Sequence, residues 1–331
     1  MTTVFDLFKK PASPIAIQPL LYSVPPPIAS VRKASRPAPS RRENTSQLHI
    51  VRAANFENFP NLVHGFSTRL GGLSAVYGDR QLNLGFTAAD THFAVERNRR
   101  AFLRAVTGRS RATPELVHLR QIHSGIVHVL NIASRPPERP LRGDGVITDR
   151  KDVLLGIQVA DCVPVLVADR QGRAVGAFHA GWRGTATRIV ERGAGTMRAR
   201  FGCEPKDLYA AIGPCIHACC YKVGDEVIDE FQSQFAYADE LFTEVYDRDP
   251  IKEKYPLLFL TARAPGHSNI GPQIHLDLVE ANRRQLLAAG VPATNIWAAP
   301  ECTSCRTDLL FSHRAEAGHT GRMMAVVGLA G

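Results

Sequence analysis

The chain reads as an α/β protein, with mixed β-sheets packed against helices in a single domain behind an N-terminal tail. Three observations lead there. From about residue 48, short β-branched runs alternate with amphipathic helical stretches. No second Pro/Gly-rich linker breaks that alternation, which argues against a further domain. The composition, 44% hydrophobic and 21% charged over 331 residues, suits a chain able to bury a sizeable core.

Residues 1–46 stand apart. They hold eight of the 22 prolines, with Pro25-Pro26-Pro27 in the middle, and seven Lys/Arg against Asp6 and Glu43. Such a segment has too little apolar periodicity to offset its ordering entropy, so it is expected to be disordered. Prolines interrupt the apolar core that a secretory signal needs. Few acids with several Ser and Arg leave an organellar transit peptide as the alternative to a plain tail. The tail carries +5 of the formal net charge of +9, leaving +4 for the domain. The domain shows no Lys/Arg run interleaved with aromatics, so no nucleic-acid partner is expected. No run of about 18 apolar residues is present, so no membrane partner is expected either. Seven cysteines, an odd number, do not make a disulfide framework, and a reducing, cytoplasmic location follows as the expectation.

Within the domain (47–331), LHIVRAA (48–54) and LVHGFST (62–68) predict strands, and Gly71-Gly72 a turn. Asp90 can cap a helix running to about Val106, with Gly108 just past its end. Leu116 to Leu130 reads as two strand pieces broken at His123-Ser124-Gly125, and 152–184 as strand, strand, turn, strand, loop. Thr185 can begin a helix reaching about Phe201, weakened by Gly193 and Gly195. A further helix follows Asp225. Asp277 and Glu280 form a D-x-x-E capping box for a helix ending at Gly290, and a strand near Met323–Leu329 closes the chain.

The chemistry concentrates in VADCVPVLVAD (159–169), which is apolar and β-branched except for Asp161-Cys162. A free cysteine there has an ordinary reading as a small buried hydrophobe. The turn Asp169-Arg170-Gln171-Gly172 adds a second reading. If it closes a tight hairpin, Cys162 faces His179, with Cβ atoms on one side and about 4.5–5.5 Å apart. That spacing suits two ligands of one ion, or a nucleophilic cysteine activated by histidine. A bulge would shift the register. Zinc needs a third donor. Among twelve histidines, His123 interrupts an apolar pattern beside Ser124-Gly125, a weak signal when taken alone.

Several stretches together resemble one family. HGFSTRLGG (64–72), LNLG (82–85), RQIHSG (120–125), GDGVITD (143–149), GIQVADCVPVLVAD (156–169), FHAGWRGT (178–185), AIGPCIHACCYKVG (211–224), HLDLVEANRRQL (275–286) and TGRMMAVVG (320–328) are similar to the YfiH/YlmD family. That family was once labelled laccase-domain or multicopper polyphenol oxidase and is now described as purine nucleoside phosphorylases with adenosine deaminase activity. The resemblance implies an α/β domain whose zinc ligands are His123, Cys162 and His179. It implies phosphorolysis of adenosine, inosine and S-methyl-5'-thioadenosine, with deamination of adenosine to inosine. Arg69 and Arg183, in glycine-flanked loops, are candidates for the phosphate. Asn83 is a candidate for ribose or base, or for a turn cap. Asp161 is a candidate for orienting a ligand or the water. Departures are mild: Ser124 stands where glycine is usual, Lys222 replaces a frequent Glu, and FTAAD follows LNLG.

Rival readings come from other classes. A copper laccase needs clustered His-x-His motifs, and no two of the twelve histidines are two residues apart. A metal-free hydrolase using Cys162 and His179 is a second enzyme reading, and a non-catalytic zinc-binding interaction module a third. Cys215, Cys219, Cys220, Cys302 and Cys305 form either a second, structural zinc site through their C-x2-C pair or a set of core thiols.

Overall fold

All seven residues of Val163–Asp169 are buried, which requires cover on both faces of that strand. The computed structural model supplies it. The structure describes residues 48–57, 59, 61–108, 114–133, 139–151, 153–245 and 273–330; the tail at 1–46 lies outside the described residues. In chain order the elements are β1 (Ile50–Val51), β2 (Leu62–Ser67), β3 (Leu70–Ser74), α1 (His92–Thr107), β4 (Glu115–His118), β5 (Val127–Leu130) and β6 (Gly145–Thr148). There follow β7 (Val153–Val159), β8 (Val163–Asp169), β9 (Val175–Ala180), α2 (Trp182–Ala186), α3 (Ile189–Phe201), β10 (Leu208–Ile212) and α4 (Asp225–Gln234). The last described are β11 (Phe242–Val245), β12 (Gln273–Leu276), α5 (Leu278–Ala288), β13 (Ile296–Ala298) and β14 (Met323–Leu329). Two mixed sheets result, in the orders β1-β2-β14-β7-β4 and β13-β10-β8-β9-β6-β5, with β11-β12 as a separate pair.

Side-chain alternation along each strand assigns the layers. On β8, Leu166 and Ala168 join Ala177 and Ala211 against Phe66, Leu155, Ile157 and Val327 of the five-stranded sheet. Val163, Val165 and Val167 point the other way, where Ile189 and Met197 of α3, Phe231 of α4 and Leu286 of α5 complete a second core. Beyond the five-stranded sheet, Leu154, Met324 and Val326 take Phe102, Leu103 and Val106 of α1. The order is helix, sheet, sheet, helices. No helix among the described residues is long and apolar enough to cross a membrane.

Local differences from the expected elements have identifiable causes. Gly71-Gly72 lies inside β3, and a Cβ on Gly72 would sit 2.1 Å from the Gln81 carbonyl oxygen, so close backbone approach explains the glycine. The cap of α1 is Thr91, whose hydroxyl accepts the Ala94 N–H at 3.2 Å. Asp90 instead accepts from Ser74 Oγ at 2.6 Å and Asn83 Nδ2 at 2.7 Å. Gly108 closes that helix at φ 65° as expected. The single helix read from Thr185 is two, because Arg188 at φ 58° breaks it. Asp277 does cap α5, accepting the Glu280 N–H at 2.9 Å.

The β8–β9 register also differs. Pro164 pairs with His179 and Ala168 with Val175, two residues from the tight hairpin expected. The Asp169 carboxylate is the reason: it accepts the N–H groups of Gln171 and Arg173 at 3.1 Å each and pairs with the Arg173 guanidinium at 2.7 Å, which stabilises a longer loop. A slip of two keeps the face, whereas a slip of one would reverse it. Cys162 therefore lies diagonal to His179 rather than opposite, on the same side.

Candidate metal centre

Chain turns at one end of the six-stranded sheet bring His123, Cys162 and His179 together. His179 lies next to the end of β9 and faces Asp144, which immediately precedes β6. The His179 N–H donates to the Asp144 carbonyl at 2.7 Å, and ring Nδ1 lies 2.8 Å from Asp144 Oδ1. Cys162 follows Asp161, whose φ of 89° turns the chain into β8. His123 sits between β4 and β5 at φ 57°, a left-handed conformation that its surroundings must hold in place. Asp144 holds it. Its carboxylate accepts the N–H groups of Ile122, His123 and Ser124 at 3.2, 3.0 and 2.7 Å, and the Ser124 hydroxyl at 2.7 Å. One buried carboxylate thus positions two of the three donors.

The ligand atoms of the three residues lie within 4.8 Å of one another, with His123 Nε2 3.8 Å from Cys162 Sγ. The group can hold a metal ion. Burial alone would push the Asp144 carboxyl up, but hydrogen bonds from His179 and Ser124 hold it down to about 2. An ionised carboxylate only accepts, so His179 carries its proton on Nδ1 and turns Nε2 towards the centre. Burial opposes ionisation of Cys162 as well. The His179 charge and the His123 hydrogen bond overcome it and bring the thiol down to about 6. Burial depresses His179, yet the Cys162 thiolate and Asp144 raise it to about 9. In the metal-free site Cys162 and His179 thus each favour the charged form of the other.

A cavity of about 370 Å3 opens on the centre, lined by the three donors with Gln121, Gln158, His313 and Arg322 among others. That volume lies within the range of small-molecule sites, roughly 300–1,000 Å3. The Arg322 guanidinium is oriented by the carbonyls of Thr320 and Gly321, 3.1 and 3.0 Å from Nη1.

The other residues singled out in the sequence lie elsewhere. Arg69 is buried and fully engaged: it donates to Gln81 Oε1, to the Thr307 and Tyr77 carbonyls at 2.7 and 2.8 Å, and to Glu316 at 3.0 Å. It clamps loops rather than facing an anion. Asn83 is wholly buried, bonding Gly85, Asp90 and the Arg322 N–H, so it organises a turn. Asp161 turns its carboxylate to Thr303 Oγ1 and the Arg314 N–H, both at 2.6 Å, and not to a ligand. Arg183 is exposed at the start of α2, stacked 4.0 Å over Trp182 and paired with Glu226 at 3.0 Å. It does not line the cavity. Sequence reasoning missed Asp144, Gln121, Gln158, His313 and Arg322. All but His313 lie inside motifs already quoted, and the glycines around Asp144 were the usable signal for a carboxylate reaching backbone N–H groups.

Residues 63–330 match the family described as multi-copper polyphenol oxidoreductase laccase. The chain belongs to this family. Its curated relatives carry different names. The purine nucleoside phosphorylase YlmD of Geobacillus stearothermophilus is 35% identical over 277 residues, 82% of this chain and 91% of that protein. Adenosine deaminase RL5, from an unknown prokaryotic organism, is 34% identical over 214 residues, 63% of this chain and 72% of that protein. The crystal structure of the Bacillus licheniformis hypothetical protein YfiH superposes with a TM-score of 0.69 at 31% identity, covering 87% of this chain and 98% of that one.

Proposed function

We propose that the protein is a zinc-dependent purine nucleoside enzyme. It cleaves adenosine, inosine and S-methyl-5'-thioadenosine with phosphate to the free base and ribose 1-phosphate or its methylthio analogue, and it deaminates adenosine to inosine. The observation that carries this reading is a three-donor centre backed by a carboxylate and open to a cavity. Three protein ligands and one open position are the pattern of catalytic zinc, whereas structural sites are closed by four. Two relatives named for the two activities supply the substrate class.

When bound, the ion would supply Lewis-acid polarisation and lower the pKa of a water near the base. His123, Cys162 and His179 would hold it, and Asp144 keeps the His179 ring in the ligating tautomer. Gln158 and His313 offer hydrogen bonds to the purine edge, and Gln121, whose amide bonds the Gln158 backbone N–H and carbonyl at 2.8 and 2.7 Å, holds that segment in place. Arg322, charged and lining the cavity, takes the anion role that Arg69 cannot fill, with Arg183 a second cation outside it. A His2Cys set also suits copper, but no two histidines stand as His-x-His.

One observation favours a second reading. Cys162, His179 and Asp144 also form a thiolate–imidazolium–carboxylate series fit for metal-free cysteine chemistry. Incubating the purified protein with adenosine, with and without phosphate, before and after chelation and zinc return, separates the two. The proposal expects loss of both products on chelation and recovery with zinc. Full turnover by the demetallated protein would support the cysteine enzyme, and tight zinc binding without turnover an interaction module. Arg322→Gln should cut phosphate-dependent cleavage by roughly 10- to 100-fold and deamination far less, because only the first needs the anion.

A further inference from the structure

A second sulfur cluster lies away from the cavity. Strands β10 and β13 are parallel, with Ile212 beside Ala298 at their ends, so the chains leaving them continue side by side. Backbone bonds keep them together: the Ala299 N–H donates to the Ile212 carbonyl and the Thr303 N–H to that of Cys215, each at 2.9 Å. One chain carries Cys219-Cys220 and the other the C-x2-C pair Cys302 and Cys305. The four ligand atoms lie within 4.8 Å of one another. Cys215, grouped with them on sequence, is instead a wholly buried core residue.

Two features set this group apart from packed core thiols. Cys219 and Cys305 are exposed, so hydrophobic burial does not account for them. Cys305 Sγ lies 3.4 Å from Cys220 Sγ and 3.6 Å from Cys219 Sγ. With Zn–S of about 2.3 Å, the edge of a tetrahedral tetrathiolate site is about 3.8 Å, whereas a disulfide is about 2.05 Å. The observed spacings are near the metal edge. Independently, the His217 N–H donates to Cys302 Sγ at 3.4 Å and so ties the two loops at that sulfur.

We propose that Cys219, Cys220, Cys302 and Cys305 bind one zinc ion in a closed, structural site that ties these two loops together. Four sulfurs complete its coordination, so it holds no water and does no chemistry. It serves the first centre at a distance. Thr303, inside the C-x2-C turn, donates its hydroxyl to Asp161 Oδ1 at 2.6 Å, and Asp161 sets the turn that presents Cys162. The inference does not depend on what the cavity binds.

The test uses the full chain with Cys162→Ala, which removes a ligand of the first centre. After reduction and equilibration with buffered zinc, plasma mass spectrometry should find one zinc fewer per chain than in wild type but not zero. The cobalt-loaded variant should show the ligand-field and charge-transfer bands of a tetrathiolate site. Adding Cys305→Ser, at an exposed position, should abolish both signals. Cys305→Ser alone should lose one zinc and retain the other, with circular dichroism reporting the fold. A folded Cys162→Ala protein without metal would overturn the proposal. So would iron in place of zinc, or an intact mass two hydrogens light that reduction and zinc leave without metal.

Discussion

At the residue scale, Asp144 sets the geometry of the candidate centre. It is wholly buried, yet its charge is matched by four backbone or hydroxyl donors and the His179 ring. Asp144→Asn retains the size but replaces an acceptor oxygen with a donor facing Nδ1. Zinc affinity, measured by competition with a chromophoric chelator, should fall roughly 10- to 100-fold, and an unchanged affinity would remove Asp144 from this role. The electrostatics predict a pH signature too. In metal-stripped protein, Cys162 is a thiol below about pH 6 and a thiolate above it. Its alkylation rate should therefore rise through about 6, and zinc should block it. A midpoint in the ordinary thiol range, about 8.5, would mean that the pairing with His179 is absent.

At the element scale, the β8–β9 hairpin determines which side chains can share an ion. The Asp169 loop moves the register by two, which retains the face but turns a direct pair into a diagonal one. Cys162 then reaches the centre because Asp161 bends the chain and because Gly181 leaves room. A Cβ on Gly181 would lie 3.0 Å from Cys162 Sγ and 3.2 Å from His123 Cδ2. Gly181→Ala must displace two donors by a few tenths of an ångström. We expect a folded protein with weakened zinc binding and reduced turnover, measured by calorimetric titration and circular dichroism. Wild-type affinity in that variant would show that the donors are less constrained than the geometry requires.

At the scale of the whole molecule, two sheets packed face to face leave one sheet end free for chemistry, and buried polar clamps hold the loops there. Arg69 is such a clamp. It joins Gln81, Tyr77, Thr307 and Glu316, segments far apart in the chain, and stacks 4.6 Å over Phe311. Arg69→Met should lower stability by about 3 kcal/mol, since it leaves the Glu316 carboxylate without its cation, and the denaturant midpoint measures this. The tail follows a different expectation. A Pro/Arg-rich segment without apolar periodicity adds little to a core, so a chain starting at residue 47 should retain its melting temperature and its turnover. A large fall in either would make the tail part of the domain.

The sequence by itself determined the α/β alternation, most element positions, the common side of Cys162 and His179 though not their register, and the family to which the chain belongs. Each of these rests on local information: side-chain period, turn residues and motif spacing. Side-chain partners were decided only by the tertiary structure, because a hydrogen bond between residues far apart leaves no periodic trace. Arg69, in a glycine-flanked loop, read as a phosphate candidate, and Asn83 as a substrate contact or a turn cap; the folded chain gives Arg69 four internal acceptors and sets Asn83 in a buried turn. Asp144 drew no reading in the sequence, because only the pairing of β6 with β9 sets it behind His179. Four of the cysteines likewise met only when β10 and β13 aligned in parallel, since residues some 85 positions apart share a site through sheet topology and not through spacing.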